Sequence, residues 1–422
     1  AGYSYTFDPE EIKIDSVWVS ATNNLVNSYN EAGRRLIKYI TPYGNYLDLG
    51  PDGFTWVYDV TDFEPWLHDT IDLEGGDHRE LIDLRFDFIS GTPPHDVHDI
   101  SEVLDGTGDY AELVQSPAKE MLSAAATNDR FELRYSITGH KFSNPTNCAE
   151  FCERTHFFEI DGSRMHDWQH MTECAINPLY PQGGTWIYDR AGWCPGAPAE
   201  IFKTDLTPFI TPGVDFELTY GVDADPTGVE YGSWNREVFF LQYGTPHFSV
   251  DAELYNVISP SIHDEFERFN PICDNAVVEI RNSGSTVLTT VDIEYGVVGG
   301  STQSFTWNGN LQFMEKEVIV LPMHDLSMWA GGTSFFVNIV GANGSPDDYQ
   351  ENDQYTSAFE LAPVLDGEFN IVFRTNSAPG ESSWQIRDGY GTVLYNGGGM
   401  LANTTYTTPI TLPEGCYVFS VS

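Results

Sequence analysis

Basic residues are scarce: 20 Lys and Arg stand against 63 Asp and Glu in 422 residues, a formal net charge of −43. So acidic a surface repels polyanions, which excludes nucleic acid and anionic membranes as partners. Long apolar runs are missing as well. No stretch approaches the roughly 18 residues of a membrane-spanning helix, so no membrane insertion is expected. Helical periodicity is sparse, with residues 116–126 and 148–156 its best candidates. Cysteine is limited to six, four of them at 148/152 and 174/194, a pattern that fits an oxidising, extracellular compartment. Core-forming residues are plentiful, at 41% hydrophobic and 14% aromatic, and they exclude global disorder despite the charge. The chain begins at Ala1 without Met or a signal peptide and stops inside a strand-like run, so it reads as part of a longer, processed protein.

Periodicity of two prevails. Phe131–Thr138 and Val291–Tyr295 alternate apolar with polar, and turn clusters such as Asp105-Gly-Thr-Gly108 and Asn282-Ser-Gly284 recur at short intervals. The expectation is an all-β chain of antiparallel sandwiches, each strand burying one face. Changes of texture place the domains at 1–125, 126–258, 259–363 and 364–422.

The densest chemistry lies between His140 and Pro195, which hold four of the eleven histidines, four of the six cysteines and three of the ten tryptophans. Three uses are open. Cys148-x3-Cys152-x3-His156 with His166-x3-His170 has the spacing of a Cys/His metal site. Alternatively, Cys148 with Cys152 and Cys174 with Cys194 are disulfides, the pairing that an extracellular chain favours. The third use is a polar cleft in which His and Trp contact a substrate.

Here the chain resembles a known family. Cys148-Ala-Glu-Phe-Cys-Glu-Arg-Thr-His156, the Gly183–Gly196 stretch with Asp189-Arg-Ala-Gly-Trp-Cys-Pro195, and Ser136-Ile-Thr-Gly-His140 look like the second jelly-roll of the peptide-N-glycosidase F family. Tyr39-Ile-Thr-Pro-Tyr43, Tyr58–Phe63 and Phe86–Pro93 are similar to elements of its first jelly-roll. The resemblance covers about residues 1–258 and implies two tandem jelly-rolls that hydrolyse the amide joining an N-glycan to asparagine. It implies an N-glycoprotein or surface glycan as partner, no cofactor, and a saccharide cleft lined by Trp193 and Arg190. Amide hydrolysis needs a carboxylate to activate water and an acid to assist the leaving amine. The family's C-D-E-W-D-R motif, with its principal aspartate, has no counterpart between Asn24 and Tyr29. A family glutamate falls at Thr219, which leaves Glu217, two residues away on the same face, as the substitute base. The opposing reading is a non-catalytic glycan- or protein-binding component of the cell surface. The same architecture occurs in copper-dependent peptidylglycine monooxygenases, so a copper site at His140, His156, His166 and His170 is the third.

Residues 259–363 resemble immunoglobulin-like adhesion modules of secreted Bacteroidetes proteins, and 364–422 the small β-module that precedes type IX sorting domains. This implies export to the cell surface or medium, with secretion machinery or a surface protein as partner. Cys273 pairs either with Cys416 or elsewhere. The acidic loop Asp347–Asp353 invites calcium, but its charge reads first as a solvated loop.

Overall fold

The computed structural model describes residues 35–44, 47, 49, 53–68, 70–71, 83–142, 149–180, 182–228, 230–267, 270, 272–323 and 326–421, together with the strand backbone of 2–8, 11–19 and 73–75. The chain is all-β, 44% strand against 6% helix. It forms two compact units, Ala1–Thr245 and Pro246–Ser422. No helix among the described residues is long and apolar enough to cross a membrane.

In the first unit, β1 (Gly2–Asp8), β2 (Glu11–Val19) and β3 (Leu73–Gly75) form one small sheet in the order β2-β1-β3. The next strands are β4 (Val97–Asp109), β5 (Ala118–Ser123), β6 (Arg130–His140), β7 (Thr155–Ile160), β8 (Ser163–Gln169), β9 (Phe202–Asp205), β10 (Asp215–Val222) and β11 (Ser233–Tyr243). They build two four-stranded antiparallel sheets, β5-β10-β7-β8 and β4-β11-β6-β9, the two layers of a jelly-roll. Alternation on β6 sends Phe131, Leu133, Tyr135 and Ile137 into the shared core, where they join Phe158, Phe216, Leu218, Tyr220, Val238 and Phe240. Each such side chain contributes about 1.5–3 kcal/mol on burial.

The expectation that each strand buries one face fails at β6. Glu132, Arg134, Ser136 and Thr138, on its other face, are buried too. They are covered by a segment from the N-terminal part of the unit, whose 3-10 turn Thr61–Trp66 packs Phe63 and Trp66 against Phe239 at 5.3 and 5.9 Å. Arg134 donates from Nη1 to Asp62 Oδ2 (2.8 Å) and from Nη2 to Asp59 O (3.0 Å), and Lys203 Nζ lies 2.6 Å from Asp62 Oδ2. Burial alone would raise the Asp62 carboxyl, but these two cations hold it below its usual range. Breaking such a buried pair costs about 3–5 kcal/mol, because the partner's charge stays buried. Arg134→Met is therefore expected to lower unfolding free energy by that amount in urea titration; a loss below about 1 kcal/mol would show that the face is loosely covered.

Two expected boundaries move. β4 and β5, placed in the first domain by a break at residue 125, hydrogen-bond into both sheets of the second: β4 pairs with β11 and β5 with β10. The helix expected over 116–126 is strand β5, because β10 offers Ala118–Ser123 a ladder. Among the described residues of this unit the α-helix is one short piece, α1 (Tyr110–Gln115), capped by the Asp109 carboxylate on the Ala111 and Glu112 N–H groups. The expected helix at 148–156 is likewise absent from its described part, where β7 begins at Thr155.

The second unit starts earlier than residue 258, since β12 (Ala252–Ser259) pairs with β13 (Ala276–Asn282). It continues with β14 (Leu288–Val297), β15 (Thr302–Leu311), β16 (Lys316–Leu321), β17 (Ser334–Ala342) and β18 (Gln354–Ala358). The sheets β12-β13-β16 and β15-β14-β17-β18 close over a core that includes Trp307, Trp329 and Phe335. β19 (Glu368–Arg374), β20 (Trp384–Asp388), β21 (Val393–Gly397), β22 (Thr405–Thr411) and β23 (Tyr417–Val421) form a last module around Trp384, Ile386 and Ile410. Cys416 is disulfide-bonded to Cys273.

Candidate functional site

The dense stretch folds onto the His140 end of β6 because two glycines let backbones touch. A Cβ at Gly139 would lie 2.0 Å from Ala149 O, and one at Gly192, whose φ is +77°, would lie 2.0 Å from Ile137 O. Gly139 N–H donates to Ala191 O (2.9 Å), Ala191 N–H to Glu150 O (3.0 Å) and Trp193 Nε1 to Gly139 O (2.7 Å). The Cys174–Cys194 disulfide fastens the second loop, the pairing expected of an extracellular chain. Cys148 lies outside the described residues, and with it the expected Cys148–Cys152 pairing.

Arg190 is wholly buried at the centre of this junction. Its guanidinium donates from Nη1 to Tyr188 O (2.7 Å) and from Nη2 to Thr185 Oγ1 (2.8 Å), and its carbon sits 4.8 and 4.9 Å from the rings of Phe151 and Trp193. Nε donates to the Glu150 carboxylate at 3.3 Å. The Glu150 side chain is 14% exposed. Burial raises its carboxyl above the ordinary value, against the opposing pull of Arg190 and the Lys141 N–H. Lys141 takes φ +74°, a left-handed conformation that costs a non-glycine residue about 1–2 kcal/mol. Strain of this kind persists where surrounding structure over-determines it, often at functional sites. Phe151, the next residue along, packs its half-buried ring on the Arg190 guanidinium and meets two exposed rings edge-on, Phe142 (55% exposed) and Tyr188 (56%).

A second line of polar groups leads away from Trp193. His140 stacks on its indole at 5.6 Å, and His140 Nε2 is 2.8 Å from Thr138 Oγ1. Lys38 Nζ donates to Thr138 Oγ1 (2.9 Å) and Asn235 Oδ1 (2.7 Å) and lies 3.6 Å from the Glu237 carboxylate, which Arg35 also engages. Burial lowers Lys38, and burial with the charges of Lys38 and Lys141 drops His140 to about 4. His140 is thus neutral at physiological pH, and the Glu237 charge is already compensated. Glu150 keeps a small solvent-exposed fraction, and burial raises its carboxyl.

The structure brings Trp193 and Arg190 together, as expected of a shared wall. Neither is an open cleft surface, because Trp193 is only 7% exposed and the Arg190 donors are spent internally. Glu217 is elsewhere. It pairs with Lys119 at 2.5 Å, its carbonyl accepts from the Asp161 N–H and its own N–H donates to Asp161 Oδ1, beyond the Ile160 end of β7. That is about one strand length, roughly 15 Å, from the Thr155 end that adjoins the Glu150 loop.

The four histidines form a framework. Trp168 Nε1 donates to His170 Nδ1 (3.3 Å), and His170 Nε2 donates to Ile137 O (2.7 Å). His156 Nδ1 meets Tyr220 OH at 2.8 Å, and His166 Nε2 meets Tyr135 OH at 3.3 Å. Among the described residues no group of three or more His, Cys, Asp or Glu converges as a metal site. Sequence reasoning missed Glu150 and Lys38. Glu150 stood inside the Cys148–His156 motif, but that motif was weighed for its sulfur and imidazole alone.

Comparison with known proteins bears on the same segment. Residues 109–238 match the family described as "Peptide-N-glycosidase F, C terminal". Over this segment the chain is peptide-N-glycosidase F-like. The peptide-N(4)-(N-acetyl-beta-D-glucosaminyl)asparagine amidase F of Elizabethkingia miricola is 30% identical over 199 residues, covering 42% of this chain and 54% of that protein. The chain thus spans about half the length of this curated relative. Among solved structures, PNGase F, a glycosylasparaginase from Flavobacterium meningosepticum, has a TM-score of 0.39 at 20% identity, covering 58% of this chain and 78% of its own. PNGF-II has 0.35 at 15% identity, covering 58% and 54%. At these scores the two structures add nothing to the peptide-N-glycosidase F-like assignment.

Proposed function

We propose that the first unit hydrolyses the amide between an N-linked glycan and its asparagine, with Glu150 as the catalytic carboxyl and Phe142, Phe151 and Tyr188 as the saccharide-facing surface. The observation that carries this reading is the mostly buried Glu150, held by Arg190, whose guanidinium also packs on the ring of Phe151. Rings of this kind stack on the apolar faces of sugars, and a carboxylate whose pKa is raised by burial is a stronger base toward water than a solvated one. Arg190 and Trp193 position Glu150 and the loop, replacing the cleft-lining role first assigned to them. The curated relative's amidase name supports the reaction class. Two disulfides favour work outside the cytoplasm, in the medium or at the cell surface. The sandwich and last module of the second unit are assigned as immunoglobulin-like and surface-directing domains, with no cofactor assigned to the reaction.

The test is incubation of the full chain with a denatured N-glycoprotein. The expected result is loss of the glycan mass with conversion of the linked asparagine to aspartate. An unchanged mass at high enzyme excess would sink the amidase reading. Retention of free N-glycans on the immobilised chain would then establish the binding-protein alternative.

A further inference from the structure

The loop between β17 and β18, Asp347-Asp-Tyr-Gln-Glu-Asn-Asp353, belongs to the second unit and has no part in the site above. Its charge reads as a solvated loop, yet it folds inward. Asp353 is 7% exposed, and Asp251, the residue ahead of β12, is wholly buried. Ordinary contacts explain part of this. Asp348 Oδ2 accepts from the Ser249 and Val250 N–H groups (2.8 and 3.0 Å), and Asp251 accepts from Tyr349 N–H (3.1 Å) and Asn352 Nδ2 (3.0 Å). Asp347 Oδ2 accepts from Ala252 N–H at 3.4 Å.

Three oxygens are left over. Asp347 Oδ1, Asn352 Oδ1 and Asp353 Oδ1 are shut off from solvent and have no hydrogen-bond partner. Among the described residues nothing positive offsets them: the Asp353 and Asp347 carboxyls lie within hydrogen-bonding reach of each other, the charges acting on Asp353 are those of Asp347 and Asp251, and on Asp251 those of Asp347 and Glu253. Arg281, near Glu253, is already bound to it. A buried carboxylate without a donor or a cation is among the costliest groups a fold can hold. These side chains come from one short loop and share one end of the sandwich.

We propose that Asp347, Asn352 and Asp353 hold a calcium ion, with Asp251 fixing the Asn352 amide through its Nδ2 so that Oδ1 faces the ion. The donors are oxygen only, two carboxylates and an amide carbonyl, which selects a hard cation over zinc or copper. Calcium fits better than magnesium, because a loop supplying irregularly placed oxygens suits its variable coordination while magnesium demands near-octahedral order. Because the set mixes two acids with an amide, it is compatible with the lack of any converging group of three or more His, Cys, Asp or Glu among the described residues. The ion would pin the β17–β18 loop to the start of β12.

The experiment uses the full chain stripped with EDTA and then titrated with CaCl2, or with MgCl2 in parallel, following heat of binding and Tm. At about a hundred times Kd, Tm is expected to rise by roughly 5–10 °C with calcium, and by less with magnesium. Asp353→Asn is expected to abolish the calcium response while unfolding in EDTA at or above the wild-type temperature, since it removes a buried uncompensated charge. Should that variant fail to fold, Asp347→Asn on the less buried side is expected to weaken calcium binding at least tenfold. No heat and no Tm shift in the wild type would overturn the proposal. So would an equal response to magnesium, or a wild-type calcium response in folded Asp347→Asn or Asp353→Asn.

Discussion

Glu150→Gln is expected to lower glycan release by about 10²–10⁴-fold, the usual contribution of a positioned general acid or base. The change is nearly isosteric, and the glutamine amide oxygen can still accept from Arg190 Nε, so Tm should stay within a few degrees of wild type. A merely structural Glu150 would give the opposite pattern, with Tm falling and release preserved. The pH profile separates the roles further. Burial raises the Glu150 carboxyl, so the acidic limb of kcat/KM should lie above the range of a solvated glutamate and vanish in the variant. Release within tenfold of wild type would remove Glu150 from the chemistry. The contrast with Glu217 is sharp: Glu217→Gln breaks only a partly exposed contact with Lys119 and should leave release unchanged.

Acid is expected to loosen the first unit well before its carboxylates titrate. Burial drops His170 to about 4, and drops His156 well below its ordinary value with help from the His170 charge. Both are neutral in the fold, whereas in the unfolded chain they take up protons below about pH 6.5. Below that pH the unfolded state therefore binds more protons, and stability falls as pH falls, until the folded state protonates as well. For His170, fully buried, the loss approaches about 3 kcal/mol by pH 4. Hydrogen exchange of β6 and β7 amides should show opening free energies declining from pH 6.5 to 5, with a shallower decline in His170→Gln. Equal protection at pH 7 and pH 5 would contradict the buried-neutral assignment.

Much of the fold was legible in the sequence, because strand alternation and turn residues act locally. Phe131, Leu133, Tyr135 and Ile137 declared the inward face of β6 by their period of two. The outward face misled for a physical reason: Glu132, Arg134, Ser136 and Thr138 look solvated unless a distant segment brings Asp62 and Lys38 to pair with them. The same limit hid β5, whose partner strand lies nearly a hundred residues further on. Cys174 and Cys194 were paired on the strength of an extracellular compartment, whereas the pairing of Cys273 with Cys416, 143 residues apart, stayed open until the fold brought them together.

The candidate site divides along the same line. Sequence alone determined that this is an acidic all-β chain, and its motifs around Cys152, Arg190 and Trp193 resemble the peptide-N-glycosidase F family. The proposal of Glu150 over Glu217 rests on tertiary structure alone. A carboxylate's reactivity depends on burial and on the charges beside it, and chain spacing encodes neither. Glu217 looked usable by register but lies partly exposed against Lys119. Glu150 looked incidental inside a cysteine motif until packing set it, mostly buried, on the guanidinium of Arg190.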